Sequence, residues 1–170
     1  MSKSSLAVIC PVYNDEDCVE LFYKRFNKVV NKIKDVNIKL YFINNFSKDR
    51  SLEKINNISK KEKNVFHISL SRNFGYQSSI LCGLKTIEAD LYSIIDVDCE
   101  DPPELLEKFV KYSNKEYDLI YGERVARDEF YLIQLMRKLF YRITHVIADW
   151  DFIIDMAEFS LISRRLRNEV

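Results

Sequence analysis

The densest chemistry in the chain lies in one acidic stretch, Asp96-Val97-Asp98-Cys99-Glu100-Asp101. In an extended segment residues i, i+2 and i+4 point to one side, so Asp96, Asp98 and Glu100 are expected to converge. Three converging carboxylates repel one another unless a cation sits among them. Oxygen ligands of this kind suit Mg²⁺ or Mn²⁺, ions that keep some waters and complete their shell with substrate phosphates. The same stretch also reads as an acidic loop that caps the next helix, with Asp101 as N-cap before Pro102. From the loop alone the two readings stand level. Arg124 and Arg127 are placed to neutralise a diphosphate, although each taken singly reads more readily as an ordinary surface arginine; Arg72 shares that ambiguity. The four cysteines, Cys10, Cys18, Cys82 and Cys99, have no zinc-ligand spacing with one another or with His67 and His145. They read as small buried hydrophobes in a reducing compartment.

The elements that must position these groups follow from periodicity. Leu6 to Val12, Ile38 to Ile43, Val65 to Leu70, Leu91 to Asp96 and Tyr117 to Tyr121 are short apolar runs that predict strands. Between them lie helical patterns. One starts at an Asn14 or Asp15 cap and carries Val19, Phe22, Phe26, Val29 and Ile33. Another follows Ser47 and Asp49 to about Lys60, with Leu52, Ile55 and Ile58 inward. A third spans Tyr76 to Thr86, and a fourth opens at Pro102-Pro103, where proline's missing N–H is harmless. Phe130 to Ala148 predicts a longer helix, and Phe159 to Ile162 one more short strand. Regular alternation predicts an α/β fold, a mainly parallel sheet flanked by helices on both faces. Ligands of such sheets bind beyond the carboxyl ends of the strands. Asn14-Asp15, Asn44-Asn45, Ser71 to Asn73, Asp96 to Asp101 and Gly122 to Arg127 all fall there.

The composition sets outer bounds. The chain has 170 residues, 47% hydrophobic and 13% aromatic, enough for a packed core and against a disordered or fibrous class. Lys plus Arg equal Asp plus Glu at 26 each, which argues against bulk-charge binding of nucleic acid. With 3 glycines, neither a P-loop nor a G-x-G-x-x-G fingerprint occurs. No signal peptide and no span of about 18 apolar residues is evident, so a cytoplasmic location is expected.

Several motifs resemble family 2 glycosyltransferases of the GT-A (Rossmann-like) fold. Pro11-Val12-Tyr13-Asn14-Asp15-Glu16 is similar to their P-V-Y-N-E opening, Ser71 to Gln77 to S-R-N-F-G-H-Q, and Asp96 to Pro103 to D-A-D-L-Q-D-P-P. Gly122-Glu123-Arg124 with Arg127 resembles the G-x-R-x-x-R of polyprenyl-phosphate glycosyltransferases of the dolichol-phosphate mannose synthase type. Asp155 to Arg165 resembles their D-x-G-D-F-R-L-M-S-R-R. The likeness runs in order along nearly the whole chain, and residues 1–170 are expected to form one catalytic domain lacking a C-terminal membrane region.

That resemblance implies inverting transfer from a nucleotide diphosphate sugar, UDP- or GDP-linked, to a polyprenyl phosphate at the cytoplasmic, inner face of the membrane. It implies Asp96, Asp98 and Glu100 on Mg²⁺ or Mn²⁺, and Pro11, Tyr13, Asp15, Asn44 and Arg72 around the nucleoside. Arg124 and Arg127 would meet phosphate of the donor or of a lipid acceptor. Glu158 falls at the acceptor-side acid and is the expected base, with Asp155 second; Asp98 completes the catalytic set. Asn44 replaces the frequent Asp, Glu100 replaces Gln, and Ser160 stands where the family carries Arg. A glycan hydroxyl in capsule or lipopolysaccharide synthesis is the alternative acceptor. A non-catalytic nucleotide-sugar-binding domain is the alternative from another class. Helix 130–148 carries Arg137, Lys138, Arg142 and His145 without a carboxylate; a membrane-surface contact and plain core packing both fit that face.

Overall fold

Strand and helix alternate as the periodicity demands, and the strands close into a single six-stranded sheet of order β3-β2-β1-β4-β6-β5. The structure, a computed structural model, describes residues 3–113, 117–123, 136 and 156–169. The strands are β1 (Ser4–Val12), β2 (Val36–Asn44), β3 (Val65–Ser69), β4 (Leu91–Ile94), β5 (Leu119–Glu123) and β6 (Met156–Ser163). The helices are α1 (Glu16–Val30), α2 (Ser51–Ser59), α3 (Tyr76–Thr86), α4 (Leu106–Ser113) and α5 (Arg164–Arg167). β1 runs parallel to β2 and β4, and β2 parallel to β3, whereas β6 lies antiparallel to β4 with Ile94 opposite Ser160. The chain divides into two compact units, residues 1–121 with 158–170, and residues 122–157. Among the described residues no helix is long and apolar enough to cross a membrane. The sequence-predicted helix 130–148 lies outside the described residues except for Met136, which is helical and exposed.

Alternation along β1 builds two cores. Leu6, Val8, Cys10 and Val12 point into a cluster with Val19, Phe22 and Phe26 of α1, Ile55 of α2 and Phe109 of α4. Ala7 and Ile9 point the other way, to Leu84 of α3 and to Ile162. α1 is held by its predicted stripe: Val19, Phe22, Phe26 and Val29 are buried, while Ile33 lies beyond the helix end and packs on the same core only in part. α3 lies tight against the sheet at Gly83, where a Cβ would stand 2.8 Å from Ile9 Cγ2.

Three local expectations are corrected. The segment after β4 is not extended: residues 97–98 form a turn, Cys99 has φ 63°, and the Glu100 amide donates to Asp98 Oδ1 at 2.9 Å. The short-range bond that an aspartate offers two residues on has outcompeted extension. The i, i+2, i+4 argument for Glu100 therefore fails. The helix opening at Pro102-Pro103 starts as a 3₁₀ turn over Pro103–Leu105, and its cap position is Pro102, not Asp101. Asp15 occupies the cap position of α1, but its carboxylate turns back to accept from the Tyr13 amide at 3.2 Å.

Candidate functional site

The carboxyl ends of β1, β2 and β4 and the start of α3 enclose a cleft of about 310 Å³, within the size range of small-molecule sites. Pro11, Tyr13 and Asp15 line it from the end of β1 in the middle, Asn45 and Asn73 from beyond β2 and β3, Tyr76 from the start of α3, and Asp96 and Asp98 from beyond β4. The chain is bent sharply at each of these ends. Asn14 adopts φ 56° and Phe46 φ 64°, and the loops that contain them are tied together. Ser47 Oγ accepts from the Asn14 amide at 3.1 Å, and Asn14 Oδ1 accepts from the Lys48 amide at 2.7 Å. The first turn of α1 is anchored to the start of α2 in the same manner, since Asp49 accepts from the Glu16 amide and Glu16 from the Arg50 amide. Such ties satisfy helix-terminal donors that have no intrahelical partner.

The two asparagines that end β2 divide their work. Asn44 is 2% exposed; its Oδ1 accepts from the Ser47 amide at 3.1 Å and its Nδ2 donates to Ser69 Oγ at 3.2 Å. It braces the loop from beneath and does not line the cleft. Asn45, 4% exposed, does line it, donating to Asn73 Oδ1 at 2.9 Å and accepting from the Phe74 amide at 2.9 Å. Asn73 Oδ1 also accepts from the Gly75 amide at 2.8 Å. Gly75 has φ +90° with open space where a Cβ would lie, so glycine is required there by backbone conformation and not by crowding. That turn launches α3 and delivers Tyr76 into the cleft wall. Arg72 is exposed, its guanidinium 4.5 Å over the Phe74 ring, outside the cleft lining.

Beyond β4 the Tyr76 hydroxyl donates to Asp96 Oδ1 at 2.6 Å. The Glu158 carboxylate is close enough to act on the same phenol and on Asp96. Continuing the β4–β6 register two residues beyond Ile94 and Ser160 sets Asp96 opposite Glu158. Burial pushes the Asp96 carboxyl up to about 6; the Tyr76 hydrogen bond opposes this, and the charges of Glu158, Asp98 and Asp101 add to it. Burial likewise raises Asp15, with Asp98 and Asp49 contributing. Burial and the Asp96 charge keep the Tyr76 phenol protonated well above its ordinary range. Cys10, buried below this edge, is raised chiefly by desolvation, and all four cysteines are free thiols.

Of the residues singled out from sequence, Pro11, Tyr13, Asp15, Asp96 and Asp98 meet at the cleft. Glu158 joins them through Tyr76, while Asn44, Arg72 and Glu100 do not line it. Ser160, at the family's Arg position, is buried in β6, and its carbonyl accepts from Ser93 Oγ at 2.8 Å. Arg124, Arg127 and Asp155 lie outside the described residues. Sequence reasoning placed Asn45 and Asn73 at this edge without giving either a role, and gave Tyr76 only a place at the start of a helix. The signal was in the text: Asn73 and Tyr76 belong to the Ser71–Gln77 motif, with Tyr76 where the family pattern has His.

Among the described residues no three Asp, Glu, His or Cys side chains close on one point to hold an ion by themselves. Two carboxylates on the cleft wall nonetheless suit a hard divalent ion that takes its remaining ligands from water and phosphate. The crowding of negative charge that lifts Asp96 is the environment such an ion relieves.

Comparison with known proteins agrees with this geometry. The family model for glycosyl transferase family 2 matches residues 7–170. An uncharacterized glycosyltransferase, YkcC of Bacillus subtilis, is 33% identical over 165 residues, covering 96% of this chain and 51% of the relative. A bactoprenol glucosyl transferase of Shigella phage SfX is 26% identical over 162 residues, covering 95% and 53%. The chain thus spans about half the length of the curated relatives it matches. Among solved structures, the mannosyltransferase PcManGT of Pyrobaculum calidifontis, in complex with GDP-Man and Mn²⁺, aligns with TM-score 0.70 at 14% identity, covering 99% of this chain and 47% of that one. Glucosyl-3-phosphoglycerate synthase of Mycobacterium tuberculosis, with Mn²⁺, UDP and phosphoglyceric acid, aligns at 0.68 and 17%, covering 96% and 57%. These structural likenesses establish a shared GT-A fold.

Proposed function

The chain belongs to glycosyl transferase family 2, and from that premise we propose that it transfers a sugar, with inversion, from a UDP- or GDP-sugar to a polyprenyl phosphate at the cytoplasmic face of the membrane. The observation that carries the reading is the cleft itself: Asp96 and Asp98, beyond β4, line it together with Pro11, Tyr13 and Asp15 at the end of the neighbouring β1. The relatives named bactoprenol glucosyl transferase support the lipid acceptor.

In this reading Tyr13, 44% exposed at the cleft, offers a ring against which a nucleobase can lie, with Pro11 and Asp15 beside it. Asn44, in this proposal, shapes the nucleoside pocket by bracing the loop from behind rather than by touching the base. Arg72 stays at the rim with Phe74. Asp96 and Asp98 hold Mg²⁺ or Mn²⁺ together with the donor diphosphate, and Glu100 is a further oxygen donor close by in sequence. When bound, that ion neutralises the charge developing on the departing nucleoside diphosphate. Arg124 and Arg127 are proposed to meet phosphate.

Glu158, exposed and beside Asp96, is the proposed acceptor-side base, with Asp155 second. A phosphate acceptor is already anionic and needs little help from a base. A sugar hydroxyl must lose its proton as it attacks. The Glu158 carboxylate and the loss of the family Arg at Ser160 favour a glycan hydroxyl as the second reading.

The test is transfer from radiolabelled UDP- and GDP-sugars, with Mn²⁺, to undecaprenyl phosphate and to a membrane extract. Label moving to the organic phase, and falling about a hundredfold or more in Asp98→Ala, is the expected result. Label appearing only in water-soluble glycan establishes the second reading. Binding of UDP or GDP without transfer indicates a nucleotide-sugar-binding domain. No binding of either nucleotide refutes the proposal.

A further inference from the structure

We propose that Tyr76 is a positioning residue of this site, a phenol bridge that ties the Asp96 carboxylate on the β4 side to the Glu158 carboxylate on β6. The inference rests on the reading of Asp96 and Glu158 given above and adds a residue that none of the sequence motifs assigns a task.

Its geometry is set by the backbone. Gly75, at φ +90°, makes the turn that starts α3, and Tyr76 is the first residue of the helix. Its ring therefore enters the cleft wall from a fixed direction rather than from a flexible loop. The 2.6 Å bond from the hydroxyl to Asp96 Oδ1 engages one carboxylate oxygen and leaves Oδ2 as the acceptor for a ligand. The Glu158 carboxylate is close enough to act on the same phenol and on Asp96, and the antiparallel pairing of Ile94 with Ser160, carried on two residues, leads to both acids. A phenol has a single proton to donate. The two carboxylates therefore compete for one donor, held by Asp96 in this structure, so the orientation of the group on the donor-sugar side depends on the group on the acceptor side. Where the family pattern carries His at this position, this chain carries a longer side chain ending in a hydroxyl.

The bridge is tested with Tyr76→Phe and Tyr76→His in the full chain. Calorimetry follows UDP and GDP alone, then Mn²⁺ in the presence of whichever nucleotide binds. In Tyr76→Phe, Mn²⁺ affinity in the presence of nucleotide falls about tenfold more than metal-free nucleotide affinity does, the scale of one hydrogen bond to a charged group. Tyr76→His, which restores an N–H donor, recovers part of that loss. Equal Mn²⁺ affinity in Tyr76→Phe and wild type overturns the proposal. So does a parallel loss of metal-free nucleotide binding, which marks a merely structural role.

A ligand-free arm separates failure of the bridge from failure of the glycosyltransferase reading. Thermal unfolding of Tyr76→Phe, Glu158→Gln and the double variant is expected to depart from additivity by about 2 °C or more. Additive shifts overturn the bridge even if the enzyme is active. Non-additive shifts in a chain that binds neither UDP nor GDP uphold the bridge and sink the functional reading alone.

Discussion

Replacing Asn45 by leucine removes the clamp between the end of β2 and the loop that launches α3, with little change in side-chain volume. Two hydrogen bonds go at once, from Asn45 Nδ2 to Asn73 Oδ1 and from the Phe74 amide to Asn45 Oδ1, each 2.9 Å long. A typical intramolecular bond contributes about 1 kcal/mol net, so the pair is worth about 2 kcal/mol. Asn73 and Phe74 are exposed, and water replaces part of what they lose; this holds the figure near 2 kcal/mol instead of the larger penalty of an orphaned buried group. For a domain of this size that corresponds to a fall in Tm of about 4–8 °C. Urea unfolding should show a lower midpoint at unchanged m, because the surface exposed on unfolding is the same. Asn73 and Gly75 line the cleft, so the freed loop should also weaken UDP or GDP binding in the presence of Mn²⁺. A double-mutant cycle with Asn73→Ala should return a coupling of about 1 kcal/mol for the bond the two share. A loss of stability below about 0.5 kcal/mol, or additive effects of the two substitutions, would refute the clamp.

Two further perturbations test the frame around the site. Gly83→Ala gains about 1 kcal/mol of helix propensity but drives a Cβ to 2.8 Å from Cγ2 of the buried Ile9; overpacking of this kind costs about 1–3 kcal/mol. Net destabilisation in urea unfolding is the expected outcome, and a more stable variant would contradict the close approach of α3 to β1. The Asp90 carboxyl is held below its usual range first by the Ser5 amide and hydroxyl, then by Arg164. A depressed folded-state value means stabilisation that is present above the unfolded value near 3.8 and lost as pH falls through the folded one. Asp90→Asn should therefore lower stability at pH 7 and shrink the difference from wild type as the solution is acidified below about pH 4. An unchanged difference between pH 7 and pH 2, followed by thermal unfolding, would show that the carboxylate charge is irrelevant.

Much of this protein was legible in one dimension, because the forces that reveal it are local. The spacing of Val19, Phe22, Phe26 and Val29 is the buried face of α1, and the alternation of β1 feeds two cores, since helix and strand periods follow from backbone geometry alone. Once strands and helices alternate, the crossover rule sends the carboxyl ends of the first four strands to one edge, and with them Pro11, Tyr13, Asp15, Asp96 and Asp98. The tertiary structure decided the rest. Nothing in the run Met156–Ser163 says that it must enter the sheet antiparallel between β4 and β5, because a strand's neighbours are chosen by long-range packing. That insertion is what places Glu158 beside Asp96. The turn at Asp98 and Cys99 replaced an extended segment, because an aspartate can bond to the chain two residues on. Asn44 and Asn45 are identical in type and adjacent in sequence, yet alternation at a strand end turns one into the interior and the other to the cleft. Tyr76 acquires its place only when a helix start meets a strand end, a coincidence of distant segments that periodicity does not encode.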